Sequence, residues 1–163
     1  IYPALEKGTI DAAEWVGPYD DEKLGFNKIA PHYYYPGWWE GGPMLLAYIN
    51  LDKWNALPKH YQAIITQAGA YANNWMMAKY DQVNPTALKK LLAGGTKLHA
   101  FSPEIMQASF KAATELYNEI SATNPNFKKV YASMSEFTND GYQWWQVAEL
   151  GYDSFMVRNR LTG

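Results

Sequence analysis

The sequence predicts an α/β fold with long helices and a helical C-terminal tail, and three observations support this class. Runs rich in aromatic and β-branched residues predict strands at residues 32–35, 44–50 and 96–101. Apolar residues spaced three and four apart predict a long helix from Leu51 to Ala93. Residues 127–160 contain few helix breakers and predict a helical tail. The 163 residues are 48% hydrophobic, which is enough for an ordered core.

The first thirty residues are predicted to form short elements joined by turns. Residues 4–8 read as the end of a helix, and residues 9–16 as an extended run that leads into a turn at Gly17-Pro18. The acids of Asp20-Asp21-Glu22 stand where the N-terminus of a helix favours negative charge. We expect them to cap a helix that Pro31 stops.

The long helix has a predicted start, kink and end. Pro58 suits a first helical turn, Asn84-Pro85 predicts a break or kink, and Gly94-Gly95 predicts the end. The three-to-four spacing also defines one face that we expect to be buried. Its members are Leu57, Tyr61, Ile64, Ile65, Ala68, Ala72, Trp75 and Met76.

A second helix and the tail follow. Ser102-Pro103-Glu104 combines a hydroxyl cap, a first-turn proline and an acid, so it predicts a helix that runs to Thr123. A turn at residues 124–126 then divides the chain into a first domain, 1–123, and a C-terminal helical extension, 124–163. The extension is unusually apolar for a terminus, and two interpretations stay open: it packs on its own domain, or on a second subunit by helix exchange. The residues concerned are Tyr142, Trp144, Trp145, Leu150, Tyr152, Phe155 and Met156.

Composition excludes several classes of function. The formal net charge of −2 leaves no basic surface for nucleic acid. The absence of cysteine excludes disulfides, thiolate zinc sites and thiol nucleophiles. No apolar run reaches the roughly 18 residues of a membrane span. The chain has no initiator methionine or signal peptide, and Ile1 stands inside a helical pattern, so we expect an N-terminal half to be missing.

Two glycine-rich aromatic loops form the candidate site. Glu14 and Trp15 precede the Gly17-Pro18 turn, and Glu40 lies in a loop with two tryptophans and several glycines and prolines. Carboxylate oxygens and inward-turned carbonyls bind hard cations, so two such loops that converge would hold a cation with a small carboxylate ligand. Trp38 and Trp39 are adjacent and point to opposite sides if extended, so one is a core residue and the other a pocket wall.

Each candidate also has a plainer interpretation. On spacing alone, Glu14 and Glu40 can be solvated surface acids, since most carboxylates are exposed. Paired acids among tryptophans would also suit a carbohydrate-binding protein or a glycosidase that uses Glu14 and Glu40. No pairing of a nucleophile with a base supports an enzyme, and His32, His60 and His99 are too dispersed for a recognisable ligand pattern.

Two motifs and the long helix carry a family resemblance. Leu5-Glu-Lys-Gly-Thr-Ile-Asp-Ala-Ala-Glu-Trp15 and Tyr33-Tyr-Tyr-Pro-Gly-Trp-Trp-Glu40 resemble the C-terminal half of a DctP-type solute-binding protein of a TRAP transporter, across essentially the whole chain. Glu-Trp followed by Pro-Gly-Trp-x-Glu is similar to the branch that binds 2-oxo or 2-hydroxy monocarboxylates, such as pyruvate and lactate, through a metal ion. The resemblance implies the C-terminal half of a two-lobed periplasmic-binding-protein fold, type II-like.

The resemblance also implies the residues of the site. Glu14 would bind a calcium or sodium ion through its side chain and Trp15 through its main-chain carbonyl, and Glu40 would complete the protein oxygens from this half. Trp15 and Trp39 would contact the substrate. The family's metal-binding glutamine and its substrate-binding arginine lie upstream of the matched region, so this chain is not expected to contain them.

The implied protein is a receptor and not an enzyme. It would be periplasmic, would close on a small 2-oxo acid by hinge motion and would present this ligand to the membrane permease subunits of a TRAP transporter. Its other partners would be the missing N-terminal half and a second copy, bound through the C-terminal helix as in other members of this branch. A 2-oxo acid can chelate the ion through one carboxylate oxygen and its keto oxygen.

Overall fold

A computed structural model describes residues 1–160. The chain divides into two compact units, of which the first comprises residues 1–106 and the second begins at Gln107. The predicted domain boundary at 123/124 stays a prediction. In chain order the elements are α1 (Tyr2–Glu6), α2 (Pro18–Leu24), a 3₁₀ turn (Phe26–Lys28), β1 (His32–Tyr35), α3 (Leu51–Ala56), α4 (Lys59–Ala93), β2 (Lys97–Ala100), α5 (Pro103–Thr123), α6 (Pro125–Trp145), a π-helical segment (Gln146–Leu150) and α7 (Gly151–Arg160).

The sheet of the first unit consists of two parallel strands, β1 and β2. His32 pairs with Lys97 and Tyr35 with Ala100, and the ladder is closed by hydrogen bonds of 2.7 Å from Lys97 N to the Pro31 carbonyl and from Phe101 N to the Tyr35 carbonyl. Parallel strands need a long crossover, which α3 and α4 supply. The strands predicted at 32–35 and 96–101 are therefore confirmed.

Two other predicted extended segments are not strands. Residues 9–16 and 44–50 adopt irregular backbone, and from Asp11 to Val16 no backbone group pairs with another within the described chain. Met44 and Tyr48 are 84% and 89% exposed. Local residue preference favours an extended backbone here, but a strand forms only where a second strand accepts its backbone hydrogen bonds.

Helix α4 runs unbroken for 35 residues, so the predicted break at Asn84-Pro85 is absent, and the helix ends before Gly94, as predicted. Pro85 lies inside the helix, which continues because α2 packs against this region and stabilises it. The predicted buried face is also wrong for most of its length, since Tyr61, Ile64 and Trp75 are each more than half exposed. Within residues 1–160 the buried apolar side chains are Ala87 and Leu91, both in the last part of α4.

Helix α2 starts earlier than its acidic residues predict. Pro18 occupies the first turn, Gly17 is the N-cap, and Gly25 ends the helix in the left-handed conformation with φ of 75°. Asp20 and Asp21 lie in the first turn of the helix, as predicted, where negative charge is favourable. Neither side chain forms a cap hydrogen bond, because Gly17 is the N-cap, and the side chain of Asp21 is buried.

The second unit is helical, as predicted. In this unit Asn124 Oδ1 accepts a hydrogen bond from the Phe127 N–H at 3.0 Å and caps α6. At the end of the first unit, the hydroxyl of Ser102 accepts a hydrogen bond from the Ile105 N–H at 3.4 Å at the start of α5. Gly141 and Gly151 do not break the helix; the irregularity is the π-helical segment that ends at Leu150. Several large apolar side chains of this stretch are more than half exposed: Tyr142, Trp144, Val147, Leu150, Tyr152, Phe155 and Val157.

Candidate functional site

One open cavity of about 1110 Å³ lies in the first unit, and it brings the two candidate loops together. Glu14 and Trp15, from the segment between α1 and α2, line it together with Trp39 and Glu40, from the segment after β1. The predicted convergence of the two loops is thus seen in the geometry. Their proposed roles toward an ion or a substrate remain predictions.

The cavity is acidic. Asp11, Glu14, Asp21 and Glu40 line it, and no lysine or arginine does so within the part of the chain that the structure describes. Such a wall attracts a cation and repels a free carboxylate. The cavity therefore favours an anionic ligand only when a cation accompanies it or when positive groups come from elsewhere.

Glu14 and Glu40 are available as ligands. Neither side chain forms a hydrogen bond or an ion pair with any of residues 1–160. Two carboxylates and a main-chain carbonyl are hard oxygen donors, which fits calcium or sodium and not a metal that prefers nitrogen or sulfur. No cluster of three or more histidine, aspartate or glutamate side chains suited to a metal occurs in the described region.

The two tryptophans of the second loop have different surroundings. Their rings meet edge to face at 5.3 Å, and Trp39 lines the cavity whereas Trp38 does not. The prediction that one of the pair is a pocket wall agrees with this geometry. The prediction that the other is a core residue is wrong, because Trp38 and Trp39 are 42% and 44% exposed. A Cβ atom at Gly37 would lie 3.3 Å from the Glu40 carbonyl and 3.5 Å from the Trp39 ring, so glycine lets the loop fold closely around Glu40.

The sequence reasoning missed a buried pair behind this loop. The hydroxyl of Tyr33 donates a 2.5 Å hydrogen bond to Asp21 Oδ2, and both residues line the cavity. Burial raises the pKa of Asp21, the bond from Tyr33 lowers it, and the charges of Asp20 and Glu14 raise it further. Burial and the same bond strongly raise the pKa of Tyr33. The alternation of β1, which turns Tyr33 away from Tyr34, was the available signal.

A stack of aromatic rings lies along the two strands, and its members His32, Tyr34 and Phe101 also line the cavity. His32 and His99 lie 67 residues apart in sequence, yet the parallel pairing places His32 Nδ1 2.9 Å from His99 Nε2. Tyr34 stacks on His99 at 4.9 Å and on Phe101 at 5.3 Å. The histidines are dispersed in sequence, as noted above, but two of them meet in the fold.

Comparison with known proteins identifies the family. Residues 1–124 match the family model DctP, bacterial extracellular solute-binding protein, family 7. This chain belongs to that family. The DctP match confirms the predicted resemblance, and the family is one of solute-binding proteins. No helix of residues 1–160 is long and apolar enough to cross a membrane.

A curated relative supports the narrower resemblance. The monocarboxylate 2-oxoacid-binding periplasmic protein of Nostoc is 52% identical over 155 residues, which is 95% of this chain and 43% of that protein. The chain thus spans less than half the length of this relative.

Solved DctP structures confirm the fold class. A TRAP transporter solute-binding protein from Bordetella bronchiseptica, a dimer with calcium and picolinate in one site, has a TM-score of 0.92 at 48% identity. The match covers 99% of this chain and 48% of that one. A TRAP solute-binding protein from Pseudoalteromonas atlantica with bound sodium and pyruvate has a TM-score of 0.85 at 33% identity, over 94% of this chain and 47% of that one.

Proposed function

We propose that this chain is the C-terminal part of a periplasmic TRAP receptor that binds a small 2-oxo or 2-hydroxy monocarboxylate, such as pyruvate, through a calcium or sodium ion. One observation carries the proposal: Glu14, Trp15, Trp39 and Glu40 line a single acidic cavity that no lysine or arginine of the described residues neutralises. The 2-oxoacid-binding relative from Nostoc and the pyruvate-bound relative from Pseudoalteromonas support the ligand class. The calcium of the Bordetella relative and the sodium of the Pseudoalteromonas relative support the two ions.

Each residue has a distinct role in this proposal. The side chains of Glu14 and Glu40 and the main-chain carbonyl of Trp15 would hold the ion. The rings of Trp15 and Trp39 would wall the bound acid and limit its length. When bound, the ion would neutralise the acidic wall and accept one carboxylate oxygen and the 2-oxo or 2-hydroxy oxygen of the ligand. A plain fatty acid lacks that second oxygen and would bind more weakly.

The receptor would be completed by partners outside this chain. An N-terminal half would supply the remaining ligands of the ion and a positive group for the carboxylate, and TRAP permease subunits would receive the solute. Several apolar side chains of α4 are exposed, among them Ile64, Tyr71 and Trp75. Their exposure supports the proposal that another part of the receptor covers this helix. The proposed protein catalyses nothing, because its chemistry is reversible binding in the manner of its family.

The C-terminal helix is proposed to hold a homodimer. Its aromatic side chains, including Tyr142, Trp144 and Phe155, are exposed in the single chain, which supports a partner that covers them. The Bordetella relative is a dimer. Packing of the same residues on the protein's own domain remains the alternative interpretation.

Calorimetric titration of the full-length receptor tests the main proposal. Pyruvate and longer 2-oxo acids are titrated with calcium, with sodium and after chelation. Heat that depends on one ion supports the receptor and names that ion. Binding of a sugar with no response to any 2-oxo acid would favour the carbohydrate-binding alternative, and hydrolysis of a glycoside would favour the glycosidase that uses Glu14 and Glu40.

A further inference from the structure

Asp21 is a buried acid in the cavity that the proposed set of ion ligands does not use. It is 7% exposed, whereas Asp11, Glu14 and Glu40 are all exposed. Its Oδ2 atom accepts the hydrogen bond from Tyr33. Its Oδ1 atom is buried and has no hydrogen-bond partner within residues 1–160. This carboxylate is therefore only half satisfied by the protein around it.

No positive group in the described structure compensates this charge. Asp21 forms no ion pair, and the cavity it lines holds no lysine or arginine among the described residues. Burial is the largest cause that raises the pKa of Asp21, and the charges of Asp20 and Glu14 raise it further. A buried carboxylate with one free oxygen and a like-charged neighbour is costly unless a cation occupies the same space.

We propose that Asp21 is a third acidic group of the cation site, which acts on the bound ion through its charge and favours divalent calcium over monovalent sodium. The proposal rests on the proposed function and adds a determinant of ion choice to it. Direct ligation is not part of it, since no three acidic side chains of the described region are clustered around one point. Tyr33 is the positioning residue, because its hydroxyl fixes the carboxylate from behind.

The physical reason for selectivity is the charge of the ion. The attraction between Asp21 and a cation is proportional to the charge of that cation at a given distance and dielectric. Removal of the Asp21 charge must therefore cost calcium twice the free energy that it costs sodium. In binding constants, the factor lost for calcium should be the square of the factor lost for sodium, whatever the distance.

Substitution of Asp21 by asparagine tests this relation. The asparagine side chain would keep an oxygen that accepts the Tyr33 bond, so D21N removes the charge and little else. Calcium and sodium affinities are measured by calorimetry on the metal-free full-length receptor, without any carboxylate ligand. We expect calcium binding to weaken about tenfold and sodium binding about threefold. The matched control is D52N, which removes an exposed charge outside the cavity and should change both affinities less than about twofold.

The role of Tyr33 is tested by the ratio of the two affinities. Tyr33→Phe removes the bond to Asp21, and we expect a lower preference for calcium. In the D21N background, Tyr33→Phe should leave the ratio unchanged, because the charge it positions is gone. A purely structural role of Tyr33 would alter stability in both backgrounds without altering the ratio in either.

Each result decides the proposal. If D21N lowers the calcium and sodium affinities by equal factors, or changes neither affinity, the role of Asp21 is overturned. The proposed function still stands in that case if pyruvate binding depends on the metal. Absence of ion binding in the unmodified receptor overturns both. If D21N does not fold, Tyr33→Phe alone still decides, since an unchanged calcium-to-sodium ratio in that variant contradicts the proposal.

Discussion

The side chain of Asn84, inside the long helix α4, accepts a hydrogen bond from the backbone N–H of Tyr19 at 3.1 Å. Tyr19 is the second residue of α2, whose N-cap Gly17 has no side chain to satisfy the exposed N–H groups of the first turn. Asn84 therefore caps α2 from another helix, and the rings of Tyr19 and Tyr80 meet edge to face beside it. This contact holds the helix that carries Asp21 against α4.

The first prediction concerns this cap. Asn84→Ala leaves the Tyr19 N–H without its partner, and we expect a loss of about 1–2 kcal/mol in the free energy of unfolding, as for other lost helix caps. Asn74→Ala, an exposed asparagine of the same helix, is the control and should change stability by less than about 0.5 kcal/mol. Urea denaturation measures both. Equal effects of the two variants would contradict the capping role.

The second prediction concerns the proposed ion ligands. Glu40→Gln and Glu14→Gln each remove one charged oxygen from the shell, and we expect either to lower metal-dependent pyruvate binding at least about tenfold. Glu22→Gln, which removes an acid outside the cavity, should bind normally. Calorimetry with and without chelator is the measurement. Full affinity of E40Q under both conditions would remove Glu40 from the site.

The third prediction is a pH dependence of stability. The pKa of Asp21 is raised in the folded protein above its ordinary value of 3.8, chiefly by burial. The folded state therefore binds this proton more tightly than the unfolded state, and the metal-free protein loses stability as the pH rises above 3.8. D21N avoids this loss, so in chelator it should melt higher than the unmodified protein at pH 7.

The measurement for Asp21 is a thermal melt at several pH values. The difference between D21N and the unmodified protein should shrink as the pH falls toward 3.8, where the carboxyl becomes protonated in both states. Addition of calcium at pH 7 should also shrink it, because the ion stabilises the buried anion. A difference that is constant with pH would show that the charge of Asp21 is not its source.

The fourth prediction compares two glycines inside helices. A Cβ atom at Gly69 would meet nothing within 4 Å, so Gly69→Ala should stabilise α4 by up to about 1 kcal/mol. A Cβ atom at Gly141 would lie 2.7 Å from the Trp145 ring, which also contacts Tyr142 and Phe137. We expect Gly141→Ala to displace that ring. The free energy of unfolding should therefore stay unchanged or fall by about 1 kcal/mol. Urea denaturation measures both variants. If Gly69→Ala and Gly141→Ala raised the free energy of unfolding by similar amounts, the close packing of Trp145 would be contradicted.

The fifth prediction concerns the proposed dimer. Deletion from Gly141 onward removes the exposed aromatic surface of the tail and should convert the protein to monomers in light scattering. Phe155→Ser, a change of one 60% exposed side chain, should weaken association without unfolding the domain. A full-length protein that is already monomeric would instead mean that the tail packs on its own domain.

Local signals explain which elements the sequence predicts well. Helix α5 begins after Ser102 and ends at Thr123 as expected, because a hydroxyl cap and a first-turn proline act through their own backbone. Strand β1 was also predicted with its observed bounds. The segment 44–50 has the same local signals but no partner strand, and it remains irregular.

The sequence alone determined the family, the C-terminal ends of α4 and α5 and the two loops that carry Glu14 and Glu40, because motifs and caps act over a few residues. Only the tertiary structure decided that Asp21 is buried against Tyr33 and that His32 meets His99. It also decided that α4 continues through Pro85. These outcomes depend on contacts between residues far apart along the chain, whose burial and hydrogen bonds outweigh local preference.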